Sequence, residues 1–328
     1  MAKYVITRLL WLFPVVLGVL IIVFTISYLT PGDPVLMQLP NDYTQEDYDV
    51  KAHQMGLDKG YVGQLFDVIW KLVTRMDLGT SYLTNFPISY ELAKRIPISF
   101  RLSLMCMLLM VIIGIPLGIS SALNQYSAYD FGLTSLSLFL AAIPSYVLAL
   151  LAALFFGVML RWLPVTGIDS WKSWILPVIC TAGMGIAVYT RMARTTMLEI
   201  IRQDYIRTAR AKGLSENTII TRHALKNCLI ILVTSMGAQV ARLFSGSIVV
   251  ETIFAIPGVG TYMMNGITSR DYPIVTGSVF VLSTLVCCVN LAVDIVYAFI
   301  DPRIKAQFLS KSEKSKLLKK TLQEGEKA

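Results

Sequence analysis

Few side chains in this 328-residue chain are placed to do chemistry, and those few sit in or beside long apolar runs. Arg242 falls within one such run. A charge inside a bilayer costs a few kcal/mol or more, so this one must face protein or water. Two roles are open to it: lining a polar pathway, or pairing with a buried carbonyl or carboxylate. Glu251 follows nine residues later, about 13 Å along a helix, too far for a direct pair on one helix. It is either a carboxylate at the outward mouth of a pathway, where it could meet an amine, or a solvated carboxylate at a helix end. Asp294, one turn after Asn290, suits a hydrogen bond that orients a helix. Asp301 precedes Pro302 and ends a helix, because proline disfavours helical backbone in its predecessor.

Hydrolytic and phosphate-binding machinery is missing from the sequence. There is no GxxxxGK motif followed by Ser or Thr, so no phosphate loop. HExxH, GxSxG and paired intramembrane aspartates are absent too. The five cysteines, Cys106, Cys180, Cys228, Cys287 and Cys288, lie in or at the edges of apolar runs without metal-ligand spacing. They read as small apolar side chains. The expectation is a chain with no catalytic residue, no metal site and no cofactor of its own.

The elements that must position these groups follow from composition. Hydrophobic residues make up 55% of the chain and charged residues 15%, against about 25% charged in a soluble domain. Mean hydropathy is +0.62. The net charge of +8 would suggest nucleic-acid binding in a soluble protein, but its uneven placement points to membrane topology and not to a nucleic-acid partner. A bilayer core about 30 Å thick takes about 20 apolar residues in helix. Six stretches qualify: 9–29, 99–123, 133–160, 174–195, 229–250 and 274–300. The first is preceded by Lys3 and Arg8, as a secretory signal would be, but its apolar core is too long and no small-x-small cleavage site follows, so it is expected to remain as a helix. Gly114 and Gly118 in the second form a small-xxx-small face for close helix packing.

Lys and Arg concentrate between the fourth and fifth stretches and in the C-terminal tail, which places both termini and the basic loop in the cytoplasm. Segment 30–97 is then outside, and His53 and His223 fall on opposite sides of the membrane, unable to share a metal. The tail after Arg303, rich in lysine and glutamate with few apolar residues, has the composition of a disordered segment, with lipid binding as the other reading. Within the basic loop, 197–213 reads as a helix with apolar residues at Met197, Ile200, Ile201, Tyr205, Ile206 and Ala209. Gly213 suits a left-handed cap, Ser215 an N-cap and Glu216 the first turn of a second helix through Ala224 and Leu225. Pattern alone leaves two readings of this hairpin. It packs back on the helix ends with its arginines against anionic lipid, or it is a docking element for a soluble partner.

The stretch DYIRTARAKGLSENTIITRHALKNCLI resembles the cytoplasmic coupling motif of binding-protein-dependent importer permeases, in the peptide-importer branch. The residues that carry it are Tyr205, Arg207, Thr208, Ala209, Arg210, Ala211, Lys212, Gly213 and Leu214, then His223, Ala224, Leu225 and Asn227. Lys226 replaces the commoner arginine, and Ile231 a usual proline. Pro31-Gly32-Asp33-Pro34, Asp77-Leu78-Gly79-Thr80-Ser81, Val250-Glu251-Thr252-Ile253-Phe254 and Pro257-Gly258-Val259-Gly260 resemble the same branch, so the similarity covers nearly the whole chain.

The resemblance implies an all-α, polytopic membrane protein of six transmembrane helices with a type I, MetI-like importer permease core. It implies a first helix and extracytoplasmic segment over 1–97, a permease core over 98–303 carrying coupling hairpin 197–226, and a basic cytoplasmic tail over 304–328. The implied partners are a second homologous permease subunit, two cytoplasmic ATPase subunits holding ATP and Mg, an extracytoplasmic solute-binding protein and the lipid of the cell membrane. Residues 205–214 would dock the ATPase, Ala209 and Gly213 would let the hairpin pack closely, and Arg242 and Glu251 are candidates to line the pathway. The solute class is peptides, with nickel, metal chelates or other solutes as alternatives. A different class, an ion-coupled secondary transporter, tends to show midplane carboxylates and interrupted helices in repeated halves, which are not evident here. A scaffolding membrane protein is the third option.

Overall fold

The computed structural model describes residues 2–300, with some side chains in the N-terminal turn and in the fifth and sixth long stretches left aside. The described residues are helical, with a single antiparallel bridge between Thr80 and Pro87. The first helix, α1 (Ala2–Leu29), carries an apolar stretch over Leu10–Leu29. The next segment is not one loop. It folds into α2 (Gln45–Met55) and α3 (Tyr61–Arg75). A capping box starts α2: Thr44 Oγ1 accepts from Asp47 N, and Asp47 accepts from the Thr44 backbone. Gly56 at φ +70° ends it.

The second span begins earlier than its apolar core suggests. Helix α4 (Ile88–Leu123) runs 36 residues, so the expected boundary at 97 falls inside it. Polar residues such as Glu91, Lys94 and Arg95 mask its start; Arg95 pairs with Glu91 one turn back, a solvated-helix device. A π turn over Met110–Gly114 precedes Pro116, whose missing N–H leaves a carbonyl to be satisfied otherwise. Gly114 and Gly118 do meet another helix. A Cβ on Gly118 would lie 2.2 Å from Thr190 O, and one on Gly114 would lie 2.9 Å from Tyr189 Cβ.

The third predicted span is two helices. Helix α5 (Ala128–Ala142) and α6 (Ser145–Met159) meet at 94°. Pro144 forces Ile143 into extended backbone (φ −87°, ψ 121°) and breaks the run. Helix α7 (Trp171–Ile201) packs against α4, α5 and α6 and forms the centre of the molecule. A short helix α8 (Asp204–Ala211) follows, then α9 (Leu225–Ile253), α10 (Val259–Thr268) and α11 (Tyr272–Ile300). Among the described residues four helices are long and apolar enough to cross a membrane, five if the α5–α6 pair is one crossing. Helix α9 occupies the position of the remaining predicted span.

The main core joins α4, α7 and α9 through Leu102, Tyr189, Met197 and Leu232, and takes in Cys106, Cys180 and Cys228, all buried free thiols. Asp271, 1% exposed, ties segment 30–87 to this body. It accepts from Ser81 Oγ (2.6 Å), Tyr82 N (3.1 Å) and Leu83 N (3.3 Å).

Candidate functional site: the 203–226 hairpin and its supports

The hairpin lies at the end of α4 opposite segment 30–87, where Leu123 and Gln125 share a recess with Arg202, Arg210 and Glu216. Its first arm is not a continuation of α7. That helix stops at Ile201, Gln203 turns extended (φ −72°, ψ 151°), and α8 starts at Asp204. The break rotates the apolar pattern so that Ile206 (0% exposed) and Ala209 (5%) join Met197 and Ile200 in the main core. Tyr205, Arg207, Thr208, Arg210, Ala211, Lys212, Gly213 and Leu214 remain exposed.

The turn is built as the residue types demand. Gly213 sits at φ +80°, a region costly to most L residues. Its N–H donates to Arg210 O at 2.9 Å, and Leu214 N donates to Ala209 O at 3.4 Å. No atom lies within 4 Å of the position of a Cβ on Gly213, so the glycine serves the backbone angle and not the close packing its motif suggested. Ser215 Oγ accepts from Thr218 N at 3.4 Å. Arg210 donates to both Glu216 carboxylate oxygens, at 2.6 and 3.2 Å, and holds that carboxyl below the usual range. The second arm, Glu216–Thr218 and a π turn over Ile219–Ala224, feeds into α9. Asn227 Nδ2 donates to Tyr205 Oη at 3.0 Å and to His223 O at 3.0 Å, so Tyr205, His223 and Asn227 form one clamp between the arms.

A support missed in the sequence lies just upstream. Arg194 donates to Asp130 Oδ1 at 2.6 Å and to Oδ2 at 2.8 Å. Asp130 also accepts from Ser121 Oγ and from Tyr126 N at 3.0 Å. The ends of α4, α5 and α7 are thereby joined at one carboxylate. Arg194 and Asp130 are 64 residues apart, and only the helix breaks at 124–127 bring them together.

Glu251 is placed differently from either expectation. It is 0% exposed, so it is neither a solvated carboxylate nor open to a pathway in this chain. Ser247 Oγ donates to Oε1 at 3.1 Å; Gly260 N and Thr261 N donate to Oε2 at 2.8 and 3.3 Å. Ser99 Oγ accepts from Val259 N at 2.9 Å beside it. A negative group at the N-terminal amides of α10 is a favourable arrangement. It explains the glycines of Pro257-Gly258-Val259-Gly260: a Cβ on Gly258 would lie 2.4 Å from Glu251 Oε2, and one on Gly260 would lie 2.6 Å from Ile248 Cα. Arg242 lies on α9 and Asp294 on α11, but their side chains, like Asp301 and the 304–328 tail, lie outside the described residues. His53 bonds to Asp58 at 2.7 Å, and among the described residues no three His, Cys, Asp or Glu side chains group to hold a metal.

Comparison with known proteins converges on one family. Residues 114–306 match the family described as binding-protein-dependent transport system inner membrane component. A dipeptide transport system permease protein of Alkalihalophilus pseudofirmus is 36% identical, over 93% of this chain and all of its own length. A glutathione transport system permease protein of Pectobacterium atrosepticum is also 36% identical, over 93% of this chain and 99% of its own. Among solved structures, inward-facing conformations of the MetNI methionine ABC transporter include a chain of the same fold, with a TM-score of 0.54 at 16% identity over 65% of this chain and 97% of that one. The match runs from the last part of α4 through α11, the body that holds both the hairpin and the Glu251 cap, and on it this chain belongs to the family of binding-protein-dependent transport system inner membrane components.

Proposed function

We propose that this chain forms half of the translocation pathway of an ATP-driven importer for peptides, crosses the membrane six times with both termini in the cytoplasm, and is driven through the 203–226 hairpin by a separate ATPase. The observation that carries the reading is the two-sidedness of the hairpin. Its inner residues, Ile206, Ala209, Ile219 and Ala224, are at most 5% exposed and belong to the main core, while its turn is exposed. A push on the turn is therefore delivered to α7 and α9 as rigid bodies and not absorbed in a loose loop. Coupling needs such a contact to differ between two states of the molecule.

The remaining subunits follow from this reading. A second, homologous permease completes the pathway. Two cytoplasmic ATPase subunits bring ATP and Mg, and this chain brings neither catalysis nor cofactor. A solute-binding protein delivers the cargo from outside. The relatives named for dipeptides and for glutathione support a peptide cargo. ATP closes the ATPase pair, the docked hairpins move with it, the spans rock outward, and hydrolysis resets them.

The test uses Gly213. Valine there meets open space but is strained at φ +80°, whereas asparagine adopts that region readily. Gly213→Val is expected to insert normally and to lose ATP-dependent peptide uptake by the reconstituted transporter, and Gly213→Asn to keep most of it. Normal uptake by Gly213→Val would sink the docking assignment.

A further inference from the structure

Helix α3 presents an apolar stripe that none of the described residues covers. Val62, Phe66, Trp70 and Val73, spaced by four, four and three, are 74%, 61%, 57% and 57% exposed. They share one helix face, and the Phe66 and Trp70 rings stack with centroids 5.9 Å apart. The neighbouring face is protein-bound: Leu72 is 7% exposed and helps to wall a cavity of about 610 Å³ between α1, α2, α3 and α11.

Two contacts fix the level at which α3 lies. At its start, Tyr61 Oη is 2.7 Å from Thr25 Oγ1, and the Tyr61 ring lies 5.2 Å from that of Tyr28. Thr25 is four residues inside the end of the apolar stretch Leu10–Leu29, about 6 Å along the helix. After its end, Asp77 N donates to Lys71 O, and Leu78 packs on Gly277, its Cβ 3.6 Å from where a Cβ on that glycine would stand. Gly277 is five residues inside the start of α11 at Tyr272, about 8 Å in. The start of α3 and the turn just after its end therefore meet spans at similar shallow depths, and the helix lies across them and not upright. Beside it, α1 turns Ile22, Ile26 and Leu29 outward, 59%, 62% and 72% exposed, as a lipid-facing helix does.

We infer that α3 is an interfacial helix, its Val62–Phe66–Trp70–Val73 stripe immersed in the headgroup and upper acyl region of the lipid leaflet on the segment 30–87 side. The occupant is lipid because α3 meets the spans at the hydrocarbon edge and its exposed stripe carries the aromatic residues that settle at such edges. Lys71, nearly opposite the stripe, lines the cavity, and Arg75 is exposed one turn later. The leaflet thus holds α3 by its apolar face while the opposite face walls the cavity.

The experiment uses the full chain, purified with its co-expressed partners, in nanodiscs of lipids brominated near the headgroup end of the acyl chain. Bromine quenches only indole that touches it, and the emission of Trp70 is isolated as wild type minus Trp70→Phe. The expected result is loss of most of that difference signal in brominated lipid. A Trp introduced by Phe66→Trp in the Trp70→Phe background is expected to be quenched as well. An unquenched, blue emission would mean that protein, a partner subunit or the binding protein, covers the stripe. An unquenched, red emission would mean that it faces water. Either outcome overturns the assignment.

Discussion

Glu251 shows how much a single carboxylate can organise. It sits one residue into the resemblance motif Val250-Glu251-Thr252, near the end of an apolar helix, where a charge invites a functional role. Its oxygens instead satisfy the first amides of α10 and the Ser247 hydroxyl. A hydrogen bond to a charged group contributes about 1.5–3 kcal/mol, and an orphaned buried donor costs about 1–3 kcal/mol. Glu251→Gln, of equal volume, is therefore expected to lower stability by about 1–3 kcal/mol, and Glu251→Ala by more, because it also leaves a cavity. Thermal unfolding of the detergent-solubilised chain reads the loss. The solute KM of the surviving transporter should stay where it was. A raised KM with unchanged unfolding temperature would return Glu251 to the pathway.

At the scale of elements, the coupling proposed for the hairpin requires that α7 deliver it in one orientation, and the Asp130–Arg194 pair is a fastening close to it. Asp130 is 5% and Arg194 24% exposed at the side chain, so the pair is shielded and bidentate, not a surface ion pair of little worth. Losing a charge-assisted hydrogen bond typically costs about 1.5–3 kcal/mol, and a double-mutant cycle on touching residues returns about 0.5–3 kcal/mol of coupling. Asp130→Asn and Arg194→Gln should each lower the unfolding temperature and the peptide-stimulated ATPase rate, with the double variant less impaired than the sum. Strict additivity would show that the two side chains do not act together. The hairpin itself was legible because its chemistry is local: Gly213, Ser215 and Glu216 report their own backbone. The α7–α8 break at Gln203 was not, since Met197, Ile200, Ile201, Tyr205, Ile206 and Ala209 keep helical spacing across it. Nor was the Asp130–Arg194 contact, which depends on how α4, α5 and α7 meet. Helix α3 was passed over because its apolar residues are too few in a row to read as a span and the polar ones between them resemble a loop.

For the whole molecule, the length of α4 constrains the topology. Its 36 residues extend about 54 Å, against a hydrocarbon core of about 30 Å. It starts beside segment 30–87, anchored there by Ile88 N, which donates to Gly79 O at 3.0 Å, and it ends at Leu123 beside the hairpin recess. One crossing by α4 therefore puts the hairpin and segment 30–87 on opposite sides, whichever way round the chain inserts. Arg191, Arg194, Arg202, Arg207, Arg210 and Lys212 crowd the hairpin end, and the positive-inside rule predicts a cytoplasmic position for it. Asn41 and Asn217 are exposed at the two ends, so each can be replaced by cysteine after Cys287 and Cys288 have been changed to serine. A membrane-impermeant maleimide added to intact cells whose outer barrier is opened should label Asn41→Cys at once. It should label Asn217→Cys only after the cytoplasmic membrane is permeabilised. Labelling of Asn217→Cys from outside would place the hairpin away from ATP, and labelling of both from one side would mean that α4 does not cross at all.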